Sequence, residues 1–389
     1  MTAASAISLN EGRFARFEAI EWWNQSLLRD ARILVVGAGA LGNEVLKNLA
    51  LLGIGNIVVI DMDRIELSNL SRSVLFRESD EGQPKTEAAA RAARAIYPGL
   101  RIHPIHGNLL SDVGLGFFRW AQIVIGALDN REARVFVNAA CARTGRPWID
   151  GGIEVLNGVV RGFSPPATAC YECTMSDVDW QILNKRRSCS MLARRALEQR
   201  GTPTTPTTAS IIGAIQTQEA LKFLHGIDAL FGRGFVFEGR NHQSYSTTYP
   251  INPDCPWHEA PPEIIALPDA GLDTPLQALA DEAGRRLGGF DALDLAREIV
   301  EHLECPKCHR VEVVLKPAEK VSEDQALCSG CGIEAAPKFL NSIASGNPLL
   351  AKTARELGLP AWEILWARYG GQSIGLELAG DNPFHRPPS

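Results

Sequence analysis

The chain has 389 residues, more than one ordinary domain holds and enough for two or three. Hydrophobic residues make up 45% and charged residues 22%, a globular composition that excludes an intrinsically disordered chain. The formal net charge is −6 and no basic run occurs, which argues against a nucleic-acid binder or an anionic-membrane binder. No stretch of 18 apolar residues occurs, and Met1–Asn10 lacks a charged-then-apolar leader pattern, so a soluble cytoplasmic protein is expected.

Residues 1–30 read as an N-terminal arm of alternating charges and aromatics, among them Arg13, Phe14, Arg16, Phe17, Trp22 and Trp23. A strand is predicted over Arg32 to Val36, running into Gly37-Ala38-Gly39-Ala40-Leu41-Gly42. An amphipathic helix follows from about Asn43 to Leu52, then a second strand over Ile57 to Ile60 that ends in Asp61. Strand, glycine turn, helix, strand and acid make one βαβ unit of a parallel sheet.

A helix is predicted over 84–96 behind Pro84, with strands over Ile102 to Ile105 and Gln122 to Ile125. Trp148 to Phe163 reads as two extended segments around an Asn157-Gly158 turn. Residues 174–206 are polar and end in Thr202-Pro203-Thr204-Thr205-Pro206, the pattern of a mobile loop. A long helix begins at Thr207-Thr208, with Thr as its N-cap. Strands are expected over Arg233 to Glu238 and Ser244 to Tyr249.

Residues 31–258 thus form the main α/β domain, and 259–274, rich in Pro and Ala, read as a linker. Residues 275–382 read as a smaller α+β module with helices around 275–303 and 348–358 and a strand over Ser373 to Leu378. Residues 383–389 read as a disordered tail.

The chemistry lies in what surrounds the glycine turn. The G-x-G-x-x-G pattern of Gly37, Gly39 and Gly42, with Ala40 inside it, lets backbone approach a phosphate at a helix N-terminus. Asp61 stands where an acid binds ribose hydroxyls. On these alone NAD, FAD and ATP fit equally. Asp63, Asn69 and Arg72 follow within a dozen residues, then Lys85, then Asp129 and Asn130 after an apolar strand. Hydride transfer has no need of two cations and an extra acid there. Nucleotidyl transfer does, because cations neutralise phosphate charge and an aspartate holds Mg²⁺.

There are nine cysteines. Cys305, Cys308, Cys328 and Cys331 form C-x₂-C-x₁₉-C-x₂-C, the spacing of a tetrahedral Cys₄ zinc ribbon. Cys170 and Cys173 make another C-x-x-C, which needs two more ligands. Cys141 lies in an apolar helical stretch and reads as a buried, inert thiol. Cys189 sits in Lys185-Arg186-Arg187-Ser188-Cys189-Ser190, where cations favour the thiolate.

From Arg32 to about Gly226 the chain resembles the ThiF/MoeB and ubiquitin-activating enzyme superfamily. The resemblance is carried by G-A-G-A-L-G-N-E, D-M-D, E-L-S-N-L-S-R, G-Q-P-K-T-E-A, L-D-N-R, C-Y-E-C and T-T-A-S-I-I-G-A-I-Q-T-Q-E-A-L-K, in the family's order over roughly half the chain.

The resemblance implies a Rossmann-like adenylation domain that uses ATP and Mg²⁺ to activate the C-terminal glycine carboxylate of a ubiquitin-like protein. Asp61 then corresponds to the ribose ligand; Asn69, Arg72 and Lys85 to the phosphate-binding set; and Asp129 to the magnesium ligand. Arg16, in R-F-A-R-F, is similar to an arginine that reaches the partner's ATP in homodimeric members, though Phe17 departs from the family's Gln. Cys255 and His258 stand where members complete the first zinc site, giving two structural Zn²⁺ in all. Cys189 corresponds to the cysteine that accepts the modifier as a thioester, for transfer to a conjugating-enzyme-like protein.

The end of the chain resembles the ubiquitin-fold domain that recruits such a partner. The whole layout is similar to activating enzymes of bacterial ubiquitin-like conjugation operons of antiphage type. The alternative kept beside it is activation of a sulfur carrier for thiocarboxylate formation.

Overall fold

The computed structural model describes residues 12–188 and 203–384, with 184–188 by backbone alone. In the first part of the chain lie α1 (Gln25–Asp30), β1 (Arg32–Val36), α2 (Ala40–Leu52), β2 (Asn56–Asp61), α3 (Lys85–Ile96) and β3 (Arg101–His106). Next come α4 (Leu109–Asp112), α5 (Gly116–Trp120), β4 (Ile123–Gly126), α6 (Arg131–Thr144), β5 (Trp148–Glu154) and β6 (Asn157–Phe163). Then α7 (Asp177–Ser188), α8 (Pro206–Leu224), β7 (Arg233–Glu238) and β8 (Gln243–Thr248) complete the first sheet's elements.

The first sheet has eight strands in the order β3-β2-β1-β4-β5-β6-β7-β8. Its first five strands are parallel and the rest antiparallel. The short runs I-L-V-V and I-V-V-I are apolar throughout because both faces of a parallel sheet are covered. Alternation divides them: Ile33, Val35, Ile57 and Val59 join one core with α2, α3 and α8. Leu34, Val36, Val58 and Ile60 join the other with α5 and α6. The strand order reverses between β1 and β4, so a crevice opens at their C-terminal ends, where ligands bind open α/β sheets.

A second sheet has the order β11-β10-β13-β14-β9, with β12 also paired to β10. Its strands are β9 (Ile264–Leu267), β10 (Ala292–Glu304), β11 (Val311–Pro317), β12 (Ala336–Ala344), β13 (Ile364–Tyr369) and β14 (Gln372–Leu378), packed with α9 (Leu276–Leu287). It is keyed into the first unit at α4 and α5. Trp362, with φ +57° and nearly no exposure, faces Gly114 and Gly116 at distances no Cβ would permit there, and its carbonyl accepts the Gly116 N–H (2.9 Å). Arg297 pairs with Glu363, both side chains 2% exposed. The same guanidinium donates to the carbonyls of Leu110 (2.6 Å) and Val113 (3.0 Å). Glu363 also accepts the Leu115 N–H (3.2 Å).

Several local expectations shift. The β5–β6 turn is Val155-Leu156, two residues before Asn157-Gly158, since Glu154 pairs with Asn157. Val155 takes a left-handed φ of 52°, held by its N–H to Pro203 (2.9 Å) and by Thr205 and Thr208 hydroxyls on its carbonyl. Gly158 serves packing instead, because a Cβ there would overlap Ile212. The long helix starts at Pro206 behind an N-cap at Thr205, earlier than Thr207-Thr208. Residues 177–188 of the segment read as a mobile loop are helical, with Ser176 and Asp179 bonding reciprocally at the entry.

The segment read as a linker carries β9, parallel to β14. The helix expected over 275–303 stops at Leu287, where Gly288 closes it at φ +81°. Ala292–Glu304 is a strand although Ala, Leu, Arg and Glu are helix formers, because pairing to three strands overrides propensity. Over 348–358 only a 3₁₀ turn forms, Pro348–Ala351. In the segment read as a tail, Phe384 stacks on Trp120 with ring centroids 4.8 Å apart, and 385–389 lie outside the described residues. Among the described residues no helix is long and apolar enough to cross a membrane.

Replacing Arg297 by Leu strands the buried Glu363 carboxylate. Loss of one partner of a buried pair costs about 3–5 kcal/mol. Equilibrium denaturation is expected to read a loss of that size; a change below about 1 kcal/mol contradicts it.

Candidate functional site

The crevice is built from the glycine turn outward. Gly37 has φ +100°, and a Cβ on it would overlap the Ala127 carbonyl oxygen; one on Gly42 would overlap the Gly37 carbonyl oxygen. Both glycines are therefore required by packing alone. Gly39 differs: a Cβ there would meet nothing within 4 Å, and Gly39 is the N-cap of α2. The space over Gly39 is open, at the positive end of a helix.

Asp61, at the end of β2, accepts the Ala38 N–H at 2.7 Å and the Asp63 N–H at 2.8 Å. Burial pushes its carboxyl up from the ordinary value, and the Lys85 charge pulls it back. Lys85 opens α3, with its side chain only 12% exposed, and its Nζ lies 2.6 Å from Asp63. Asp61, Asp63 and Lys85 thus form one cluster beside the turn.

Asn69 is buried in a 3₁₀ turn, Leu67–Asn69, where its Oδ1 accepts the Glu66 N–H (3.1 Å). Arg72 follows it, half-buried, with Nη1 on the Ser68 carbonyl (2.8 Å). This turn is tied to the glycine turn by Asn43, which sequence reasoning passed over as the start of a helix. Asn43 is fully buried, donates to the carbonyls of Ala38 (2.7 Å) and Gly39 (3.0 Å), and accepts the Leu75 N–H (2.9 Å). A polar residue directly after the last glycine was the available signal.

Asp129 and Asn130 lie exposed past β4, and the Ala127 N–H just after that strand bonds to the Val36 carbonyl (2.8 Å). Asn130 caps α6 through the Ala133 N–H (2.8 Å) and its Nδ2 reaches Asp129 at 3.2 Å. The Asp129 carboxylate offers hard oxygen ligands toward solvent, and Mg²⁺ characteristically takes one or two carboxylates plus substrate phosphates. The donor chemistry fits that ion.

Arg16 is exposed and stands apart from this crevice. Its arm packs against the far ends of α2 and α3: Phe14 lies against Gly53, Phe14 and Tyr97 rings are 5.6 Å apart, and Arg13 donates to the Ile96 carbonyl. The glycine turn and Lys85 are at the opposite ends of these helices, about 20 Å away along an axis of that length. Cys189 lies outside the described residues, and of Lys185, Arg186 and Arg187 only the backbone is described.

Two clusters have metal-ligand geometry. Cys170, Cys173, Cys255 and His258 gather within 4.8 Å, and so do Cys305, Cys308, Cys328 and Cys331. Sulfur separations of 3.5 and 3.8 Å in the first and 3.4, 3.5 and 3.9 Å in the second match the edges of a tetrahedron with Zn–S bonds of about 2.3 Å. His258 Nε2 lies 3.0 Å from Cys173 Sγ, so histidine occupies the fourth place. Behind the first cluster, Asn138 donates to Cys170 Sγ (3.4 Å) and accepts the Tyr171 N–H, an outer-shell brace from α6. In the second, the Cys308 N–H draws the Cys305 thiol down to about 6. Cys141 is fully buried, and burial pushes its thiol well up, as an inert thiol requires.

A mostly parallel sheet, a glycine turn at its switch point and two metal-ligand clusters define a Rossmann-like α/β protein with zinc-type sites. The ThiF family model matches residues 12–257, well over half of the chain, and the chain belongs to the ThiF family. It is similar to the NEDD8-activating enzyme E1 catalytic subunit of Arabidopsis thaliana, 43% identical over 162 residues that make 38% of this chain and 36% of that protein. The Nedd8-activating enzyme E1 catalytic subunit of Drosophila melanogaster is 40% identical over 180 residues, 42% of this chain and 40% of that one. The chain therefore spans well under half the length of these relatives. Among solved structures, E. coli MccB with ATP aligns at a TM-score of 0.54 and 23% identity, over 65% of this chain and 75% of that chain, a likeness of fold.

Elemental analysis of the purified protein is expected to find two zinc equivalents. Cys255→Ser should lose one and Cys328→Ser the other; a full complement in either variant removes that cluster from the assignment. Gly42→Ala should cost about 1–3 kcal/mol in stability from overpacking. Gly39→Ala, with no such clash, should leave the melting point near wild type yet weaken ATP binding at least tenfold by calorimetry.

Proposed function

We propose that the chain is an ATP-dependent activating enzyme for a ubiquitin-like protein. The carrying observation is that Asp61, Asp63 and Lys85 meet beside the Gly37–Gly42 turn, with the Asp129 loop packed against Gly37. The relatives' names and the ThiF match support the same reading.

In this reading the turn and the N-terminus of α2 cradle the phosphates, and Asp61 takes the ribose. A C-terminal glycine carboxylate of the modifier attacks the α-phosphorus. The acyl–phosphate bond forms, the α–β phosphoanhydride breaks, and pyrophosphate leaves. Lys85, Arg72 and Asn69 balance the charge on the transferring group. Asp129 would hold Mg²⁺, which supplies charge neutralisation on the phosphates, with Asn130 beside it in the nucleotide-binding set. Arg16, remote from its own crevice, would serve a second copy's site in a homodimer. The Cys189 thiolate would then attack the acyl carbon, forming a thioester and releasing AMP, for delivery to a conjugating-enzyme-like protein. The C-terminal module would receive that partner, in the arrangement of bacterial conjugation operons.

The test is ATP–pyrophosphate exchange, followed by a non-reducing gel with ATP, Mg²⁺ and a panel of ubiquitin-like proteins ending in glycine. Lys85→Ala is expected to lower exchange about 10²–10³-fold, the usual cost of one charge-stabilising donor. Cys189→Ala should abolish a thiol-sensitive band of summed mass and spare exchange. Exchange without any such band in the wild type would replace thioester transfer with sulfur-carrier activation.

A further inference from the structure

We infer that Arg134 is the positioning residue for Asp129, holding the peptide in front of it from a buried carboxylate, Asp150. The inference rests on the proposed role of Asp129 as the magnesium ligand.

Asp129 has little of its own to hold it. Its carboxylate is exposed and is touched by its neighbour Asn130 at 3.2 Å. The peptide preceding it is better fixed. The Leu128 carbonyl accepts from Arg134 Nη2 at 2.6 Å, and that nitrogen also reaches the Gly151 carbonyl at 3.1 Å. Arg134 Nε donates to Asp150 Oδ1 at 2.8 Å. Asp150, on β5, is fully buried, and its other oxygen takes Nε (3.1 Å) and Nη2 (2.5 Å) of Arg161. The planar guanidinium of Arg134 is therefore set by three partners and spans β5 and the loop after β4.

The rest of that loop is pinned separately. The Gly126 carbonyl accepts from Gln216 of α8 (2.8 Å), and the Ala127 N–H bonds to Val36 (2.8 Å). The Leu128 carbonyl is the next link toward Asp129, and Arg134 holds it. Arg161 provides the internal comparison. It shares the same carboxylate and lies over the Tyr171 ring (4.9 Å), but it has no hydrogen bond to the Asp129 loop among the described residues. A role confined to stability would make the two arginines equivalent. A positioning role separates them. Lysine keeps the charge at either site but lacks the fork that bonds carbonyl and carboxylate together.

The experiment uses full-length, zinc-loaded protein and a fluorescent ATP analogue, titrated with Mg²⁺ and separately in EDTA, with melting points recorded for each variant. Arg134→Lys is expected to bind the analogue in EDTA within twofold of wild type. Its half-saturating Mg²⁺ concentration should rise at least tenfold. Arg161→Lys should lower the melting point comparably and leave the Mg²⁺ requirement within twofold. If Arg134→Lys does not fold, the paired variant Arg134→Gln with Asp150→Asn, which removes both charges, carries the same expectation. A wild-type Mg²⁺ requirement in the Arg134 variant, or an equal rise in Arg161→Lys, overturns the inference. Asp129→Asn separates the two levels. Should it keep the wild-type Mg²⁺ response, the role of Asp129 falls and that of Arg134 falls with it. Should it lose the response while Arg134→Lys does not, Arg134 alone is withdrawn.

Discussion

The architecture hangs on a close approach of backbones at the switch point of the first sheet. Gly37 lies against the Ala127 carbonyl and Gly42 against the Gly37 carbonyl, at separations that exclude any side chain. This draws the ends of β1 and β4 together and seats α2 tightly on the turn. Asn43 and Asp61 then fill hydrogen bonds that the tight turn would otherwise leave unmade. Unmade bonds to buried backbone groups would cost about 1–3 kcal/mol each, so these polar residues stabilise the turn as they shape the site.

The charges around the turn follow from that geometry. A carboxylate pressed into a buried corner is unfavourable alone, and Lys85 and two backbone N–H groups compensate Asp61. Asp61 lies next to the glycine turn through its bond to Ala38 N–H, so the charges that make the corner foldable sit beside the N-terminus of α2. The first metal-ligand cluster joins distant parts of the chain. Cys170 and Cys173 precede α7, whereas Cys255 and His258 follow β8, and bringing them together joins the two ends of the stretch from α7 to β8.

Legibility in the sequence tracked the range of the forces involved. The β1–α2–β2 unit was readable because apolar runs, glycines and the closing acid lie within thirty residues, and the Cys305–Cys331 cluster because its ligand spacing is a local code, whereas Cys255 and His258 of the first cluster came from the resemblance. The candidate phosphate-site residues came from the resemblance, and the structure brings Asp61, Asp63 and Lys85 into contact while leaving Arg16 at the far ends of the helices. Asp150 and Arg134 were not legible: their partners are 16 residues apart and meet only across the sheet. The β10 strand was misread for the same kind of reason, since A-L-D-L-A-R-E-I-V-E-H-L-E satisfies a helical period and only pairing with β11, β12 and β13 decides otherwise. The hairpin turn moved because Val155 is held by residues 203–208, some fifty positions away.

Trp362 gives the family boundary a further meaning. The ThiF match ends at residue 257, yet the indole of Trp362, with Ile364 and Trp366, belongs to the core beneath β1 and β4. The stretch the family model matches and the stretch that packs as one core therefore have different boundaries in this chain. A fragment cut where the family ends would carry a glycine-lined socket at Gly114 and Gly116 with its plug removed. The ThiF portion of the chain leans on the segment that follows it, and the two are tied by packing as well as by the peptide bond between them.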